Sequence, residues 1–151
     1  MSRDTARLDI VPVWARFNEE LIKLVEFVPD DKLDWSPKPE LWNFRDIFVH
    51  IAGARDSWLA ATVRDGIEAP DVDATVRTRP EIQEAYRRTW QRLALFLGDE
   101  EQLDATYANR RGPVSGHWIA FHLLEHDIHH RADIFHYLAL LGIETPGVGT
   151  P

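Results

Sequence analysis

Hydrophobic side chains recur at three- and four-residue spacing in four separate stretches of the chain, a period typical of amphipathic α-helices. The first stretch runs from Asp9 to Val28, and Pro12 lies in its first turn, where a missing amide proton costs little. Charged residues fall mostly on the opposite side, so we predict a helix over this range. Its apolar side is formed by Ile10, Val13, Trp14, Phe17, Leu21, Leu24 and Val25.

The second helix is predicted to begin at Asn43, whose side chain can cap it, and to end near Arg64. On its inner face His50 occupies a position at which Leu or Ile would be expected, and the small residues Gly53 and Ala54 leave room beside it. Such a histidine is either a core imidazole bonded to a carboxylate or a metal ligand, for which a position among apolar residues is suitable.

The third helix is predicted to start at Thr78, with Glu81 completing a capping box, and to stop at Gly98. The fourth runs from His117 to Gly142, with Ser115 as its cap and the glycine placed to end it in a left-handed conformation. These limits make the last helix the longest of the four.

The connections between the helices carry polar residues and prolines without a helical period. They span 29–41, where Trp35 is expected to pin the connector to the helices, and 67–78 and 99–114. The tail from 143 onward has no pattern to fold. Because no repeat and no convincing strand alternation is present, we predict an all-α fold, a four-helix bundle in a single domain covering 1–151.

Six of the seven histidines lie in the fourth predicted helix. Successive residues rotate by about 100°, so His122, His126 and His130 share one face, and a pair four residues apart is a spacing with which helices bind metals. A single histidine on a helix is more often a hydrogen-bonded core residue or a solvated one. Three in register are harder to explain in that way, because a buried imidazole without a partner costs free energy.

The residues alone leave the choice of ligands open. His126 and His130 are the first candidates, His122 is ambiguous, and His129 lies about 60° from the direction of His126, near enough to compete. The histidines near the helix ends are interpreted as structural or solvent-facing, namely His117 and His136.

The amino-acid composition of the chain limits the kinds of site and the partners that it can have. The chain has no cysteine, so disulfides, thiolate metal sites and a cysteine nucleophile are excluded, and a metal must be held by nitrogen and oxygen. A net charge of −8 argues against nucleic acid as a partner, because binding to phosphates needs clustered positive charge. No stretch approaches a signal peptide or the roughly 20 apolar residues of a membrane span. We therefore expect a cytoplasmic protein that does not bind membranes.

Two motifs, FRDIFVHIAGARDSWL in the second helix and FHLLEHDIHHRADIFHYLALLG in the fourth, together with the tryptophan-rich frame, resemble the DinB-like superfamily, the DinB/YfiT metalloenzymes. The resemblance covers nearly the whole chain and implies that His50, His126 and His130 bind one divalent metal, with Arg131 following the last ligand. It also implies an up-down-down-up topology and a homodimer. Asp133 stands where the family often has Gln, which leaves the ligands unchanged.

Three imidazoles leave at least one coordination position open, as in catalytic sites. Zn²⁺ and Ni²⁺ are the first choices, with Fe²⁺, Co²⁺ and Mn²⁺ left open. The resemblance extends to enzymes that use low-molecular-weight thiols, which fits a protein without cysteine, since a metal can hold an external thiol as thiolate. The sequence thus suggests a thiol-dependent S-transferase or isomerase, with Arg131, Arg55 or Arg45 as partners for the carboxylates of the thiol.

Other functions are compatible with parts of the pattern. A metallopeptidase would use Asp127 as general base, since His126-Asp127-Ile128-His129-His130 resembles H-E-x-x-H, although Asp is shorter than Glu and a bundle offers no strand edge for a peptide. A di-iron centre would need paired Glu-x-x-His motifs, which are absent. The main alternative is a non-catalytic bundle, in which the metal ties two helices together or the protein serves as a binding module.

Overall fold

Four long helices occupy the four stretches that carry the hydrophobic period, which confirms the predicted all-α bundle. The computed structural model describes residues 9–146. Part of the stretch considered for a signal peptide (1–8) and part of the predicted tail (147–151) lie outside the described residues. The long helices are α1 (Ile10–Phe27), α2 (Phe44–Ser57), α4 (Arg79–Leu97) and α6 (Gly116–Leu140).

Short elements lie in the connections, where none was predicted. The second helix reaches Arg64 as expected, but its last six residues form a π-helix. The other elements extend over two to five residues, too few to produce a recognisable hydrophobic period. They are a 3₁₀ turn (Asp30–Lys32), α3 (Val72–Thr75), α5 (Glu100–Asp104), and the strands β1 (Thr106–Tyr107) and β2 (Val114–Ser115), which pair antiparallel. The π-helix itself covers Trp58–Val63.

The predicted caps begin the long helices. The side chain of Asn43 accepts a hydrogen bond from the backbone N–H of Asp46 at 2.8 Å. The side chain of Ser115 caps α6 in the same way, and the carboxylate of Glu81 accepts from the backbone N–H of Thr78 at 2.9 Å. These bonds satisfy amide protons that have no partner within the helix.

Contacts between α1, α2 and α4 give the direction of each helix. The Gln83 side chain, near the start of α4, donates to the carbonyl of Ile22 near the end of α1, so these helices are antiparallel. The hydroxyl of Tyr86 donates to the carbonyl of Phe48, and Arg88, further along α4, pairs with Asp56, further along α2. The helices α2 and α4 therefore run parallel.

The last helix completes the bundle between α2 and α1. The ring of Tyr137, near the end of α6, lies 5.5 Å from that of Phe44 at the start of α2, so α6 and α2 are antiparallel. The Trp14 indole donates to Asp127 and Arg131 pairs with Glu20, so α6 and α1 run parallel. The topology is up-down-down-up, as the resemblance implied.

The core lies between the four long helices and is closed at one end by the connector after α1. Trp35 packs against both Phe44 and Tyr137, with centroid distances of 5.9 Å in each case, and pins the connector as predicted. Among the described helices, none combines the length and the apolar character needed to cross a membrane.

Candidate metal centre

The antiparallel contact between α2 and α6 brings three histidines together. The Nε2 atoms of His50 and His126 lie 2.8 Å apart. His130, one turn after His126, completes a group in which one nitrogen from each ring lies within 4.8 Å of the others. All three side chains are half-buried. The three histidines that the family resemblance selected are therefore the ones that the fold brings to one point.

An aspartate orients the third imidazole. The Nδ1 atom of His130 lies 3.2 Å from Oδ2 of Asp133, three residues later in α6. A carboxylate favours the tautomer in which Nδ1 carries the proton, and Nε2 is then left with its lone pair. Asp133, the residue that departs from the family pattern, thus prepares His130 to bind a cation.

All three imidazoles are uncharged near neutral pH. The pKa of His126 is lowered from 6.5 to about 3, mainly by burial and in addition by the neighbouring His130 and His50. Burial is also the main cause that lowers the pKa of His50, with His130 adding to the effect and Asp73 opposing it. For His130, burial lowers the pKa while the bond to Asp133 raises it. Neutral imidazole is the form that binds a metal.

The chemistry of these nitrogens fits a divalent cation. Two neutral imidazole nitrogens at 2.8 Å can stay together only if one donates a proton or if a cation lies between their lone pairs. Metal–nitrogen bonds of about 2.0–2.1 Å would place the nitrogens of a tetrahedral site about 3.3 Å apart, a small adjustment of this geometry. In addition, the buried Nδ1 of His126 has no hydrogen-bond partner among the described residues.

A tryptophan covers one side of the group. The ring of Trp42 lies 4.5 Å from that of His50 and stacks on that of His130 at 5.7 Å and 30°. Trp42 is itself 49% exposed, so it forms the boundary between the histidines and solvent. Access from this side requires the indole to move.

The other side opens into a cleft of about 600 Å³, which we call the histidine cleft. Gly53 and Ala54 lie on its wall, which is the room beside His50 that the sequence predicted. A Cβ at Gly53 would lie 3.0 Å from a methyl group of Val72, so the glycine also lets α3 approach α2. The lining side chains include His50, His126, His122, Trp58, Asp71 and Asp73.

The remaining histidines of α6 lie outside the group around His50. His122 stacks on Trp118, with centroids 4.9 Å apart and planes within 7°, and its ring centroid is 6.3 Å from that of His126. His129 is exposed and belongs to another possible ligand group, formed with His130 and Asp133. His117 and His136 are exposed, and His117 pairs with Asp104 at 2.9 Å.

The residue that a metallopeptidase would use as general base is not available. Asp127 is fully buried, and its Oδ2 accepts from the Trp14 indole at 3.0 Å and from Arg55 at 2.7 Å. Burial raises the pKa of Asp127, while Arg55 opposes the change. A carboxylate held in the core by an arginine cannot activate a water at the metal, so the metallopeptidase interpretation is not supported.

The arginines proposed to bind substrate carboxylates are already engaged. Arg55 was wrongly interpreted, because it is fully buried and bonds to Asp127 and Asn18. Arg131 pairs with Glu20 at 2.9 Å, and Arg45 pairs with Asp34. A sequence signal for the buried pair does exist. Arg55 follows the core residue Ile51 by four residues and therefore lies on the apolar side of its helix.

Comparison with known proteins identifies the family. No curated protein matches the chain. The fold is similar to that of a DinB-like protein from Bacillus cereus, with a TM-score of 0.77 and 20% identity over 92% of this chain and 95% of that one. It is also similar to a DinB-like protein from Bacillus subtilis, with a TM-score of 0.72 and 20% identity over 91% of this chain and 95% of that one. The DinB family model matches residues 1–151, and the chain therefore belongs to the DinB family.

Proposed function

We propose that this protein is a metal-dependent enzyme in which His50, His126 and His130 hold a divalent cation and the substrate approaches through the histidine cleft. The observation that carries the proposal is a group of three uncharged imidazoles, two of which, His50 and His126, line a cleft of about 600 Å³. A purely structural site has its coordination closed by protein groups. Here two of the three histidines line open space.

The reaction we propose is transfer of a low-molecular-weight thiol. The chain has no cysteine, so a sulfur nucleophile must come from outside. A bound Zn²⁺ or Ni²⁺ would lower the pKa of the thiol and so supply it as thiolate. The thiol loses its proton, its sulfur forms a bond to an electrophilic carbon, and the leaving group departs with the bonding electrons.

The protein's own groups supply orientation and a proton acceptor. Asp133 fixes the ring of His130, and Trp42 shields the side opposite the histidine cleft. His122 lies on the wall of the cleft and is held between Trp118 and Trp58. We assign to its imidazole the role of accepting the proton of the thiol. A neutral imidazole is the most common general base in proteins.

The test is the rate of conjugation between low-molecular-weight thiols and an aryl halide, with protein loaded with Zn²⁺ or Ni²⁺. We expect acceleration that rises with pH through a value below the free thiol pKa of about 8.5. His126→Ala should lose it, and His136→Ala, altered on the same helix at an exposed position, should retain it. If the loaded protein is no faster than His126→Ala with every thiol and electrophile tried, the non-catalytic bundle is the better description.

We also propose a homodimer, as the family resemblance implies. Apolar side chains on the α1 and α6 surfaces remain exposed, including Val13 at 44%, Phe121 at 63% and Ile128 at 46%. Burying them in a second copy of the chain would remove apolar surface from water. Light scattering should give twice the chain mass, and Phe121→Asp together with Ile128→Asp should give a monomer.

A further inference from the structure

A second cavity adjoins the histidine cleft, and its charged lining residues are arginines. It has a volume of about 590 Å³ and shares Ser57, Trp58 and Ala61 with the histidine cleft. Its remaining wall contains Arg64 and Arg110, and we call it the arginine cavity. Trp58 therefore stands between a cavity with two arginines and a cleft with three histidines.

Both arginines lack the partners that most arginines of this acidic protein have. Arg45 pairs with Asp34, Arg88 with Asp56, and Arg92 with Asp65. Within the described residues, neither the side chain of Arg64 nor that of Arg110 takes part in a hydrogen bond or an ion pair, and only the backbone N–H of Arg64 donates, to the carbonyl of Leu59. In a chain with a net charge of −8, two unpaired guanidinium groups on one cavity wall favour an anionic ligand from solution.

The backbone holds Arg64 in place at an energetic cost. It ends the π-helix with φ 58° and ψ 50° and is the only described residue other than glycine with positive φ. A left-handed backbone conformation of this kind is energetically unfavourable for residues that carry a Cβ atom. Asp65, the next residue, is fixed by Arg92 at 2.6–2.7 Å, so the turn that presents Arg64 is anchored in the fold. A π-helical turn of this kind often occurs at functional sites.

Another part of the cavity wall is formed by the loop between β1 and β2. Asn109 orders the loop, because its carbonyl accepts from the backbone N–H of Gly112 and its side chain accepts from that of Arg111, both at 3.0 Å. Arg110 lies on this loop and lines the cavity, whereas its neighbour Arg111 does not. The loop thus supplies one arginine to the cavity and a matched control beside it.

We infer that the arginine cavity binds the carboxylate end of the substrate, while the other end extends past Trp58 to the histidines. A carboxylate can accept paired hydrogen bonds from a guanidinium group, and the indole offers an apolar surface to the connecting atoms. The substrate class is then an anionic small molecule whose reactive group and carboxylate lie at opposite ends. The inference rests on the proposed function in taking the histidine cleft as the reaction site.

The experiment measures binding without requiring reaction. The probe is S-methylglutathione, a peptide with two carboxylates and a blocked sulfur, and the matched probe is its diethyl ester. Both are titrated into the full chain in the presence of Zn²⁺ while the Nε resonances of the arginines and the indole resonance of Trp58 are followed by NMR. We expect the diacid to shift Arg64, Arg110 and Trp58, and to bind more tightly than the diester.

Variants identify the groups responsible. Arg64→Gln and Arg110→Gln should each weaken binding of the diacid by about two- to fivefold, as is usual for exposed ion pairs, whereas Arg111→Gln should change it little. No binding, equal binding of the diester, or an equal effect of Arg111→Gln would overturn the inference. Because the sulfur of the probe is blocked, these outcomes are independent of whether the protein transfers thiols.

Discussion

The Nε2 atoms of His50 and His126 face each other at 2.8 Å across the antiparallel helices α2 and α6. In the sequence, α2 and α6 are separated by the whole of the long helix α4. A ligand that binds both therefore also ties α2 to α6. Because burial lowers the pKa of both imidazoles, neither carries the second proton, whose positive charge would repel a cation.

Removing any one of the three histidines should release the metal. Losing a residue that only orients a ligand typically weakens metal binding by about 10–100-fold. We expect His50→Ala, His126→Ala and His130→Ala each to weaken it by more than that, because each variant removes a ligand. Elemental analysis and competition with a chelator measure the change. His117→Ala and His136→Ala serve as controls and should bind normally. An equally large loss in His122→Ala or His129→Ala would show that a different set of nitrogens binds the metal.

Asp133 should matter for affinity although it is not one of the three proposed ligands. Its carboxylate lies 3.2 Å from Nδ1 of His130, and Asp133→Ala removes the group that fixes the tautomer. We expect metal binding to weaken by about 10–100-fold. The matched control is Glu125→Gln, an exposed acidic residue on the same helix. If both variants bind alike, the bond to His130 does not orient the ligand.

The long helices could be predicted because local signals mark both ends. Asn43 and Ser115 cap where the hydrophobic period begins, and Gly142, with φ 71°, follows the last helix. The short elements α3 and β1 could not be predicted, since each has only a few residues and is stabilised by contacts with the bundle. A four-residue helix has no period to detect.

The site was only partly visible in the sequence. The spacing of His126 and His130 follows from one helix, but the approach of His50 depends on how two helices pack, and the family resemblance supplied it. The pairing of Arg55 with Asp127 was missed because a charged residue on an amphipathic helix is normally assigned to the solvent side. Only the packing of three helices shows that both side chains are buried together.

Stability of the metal-free protein should depend on pH through His126. The pKa of this group is 6.5 in an ordinary environment and about 3 in the fold, mainly because of burial. Between these values the unfolded chain binds more protons than the folded one, so the free energy of unfolding falls as the pH decreases from about 6.5 toward 3. Urea denaturation at a series of pH values should show a shallower dependence in His126→Gln. Identical slopes in the two proteins would contradict the assignment.

The buried pair of Arg55 and Asp127 should be costly to break. Asp127→Ala leaves a fully buried guanidinium without its carboxylate, and we expect a loss of about 3–5 kcal/mol in the free energy of unfolding. Replacing both residues, as Arg55→Met with Asp127→Leu, should recover most of that loss, because no charge then remains in the core. Denaturation of the single and double variants measures this. A single variant with nearly normal stability would mean that water reaches the arginine.

A variant of His122 can show whether this residue accepts a proton or binds the metal. Its ring lies 5.0 Å from Trp58 and stacks on Trp118, on the wall of the histidine cleft. In His122→Phe an aromatic ring can keep these contacts, but no nitrogen remains to accept a proton. We expect an unchanged metal content and a thiol-conjugation rate lowered by about 10²–10⁴-fold, the usual contribution of a general base. Loss of metal as in His130→Ala would make His122 a ligand, whereas an unchanged rate would mean that solvent takes the proton.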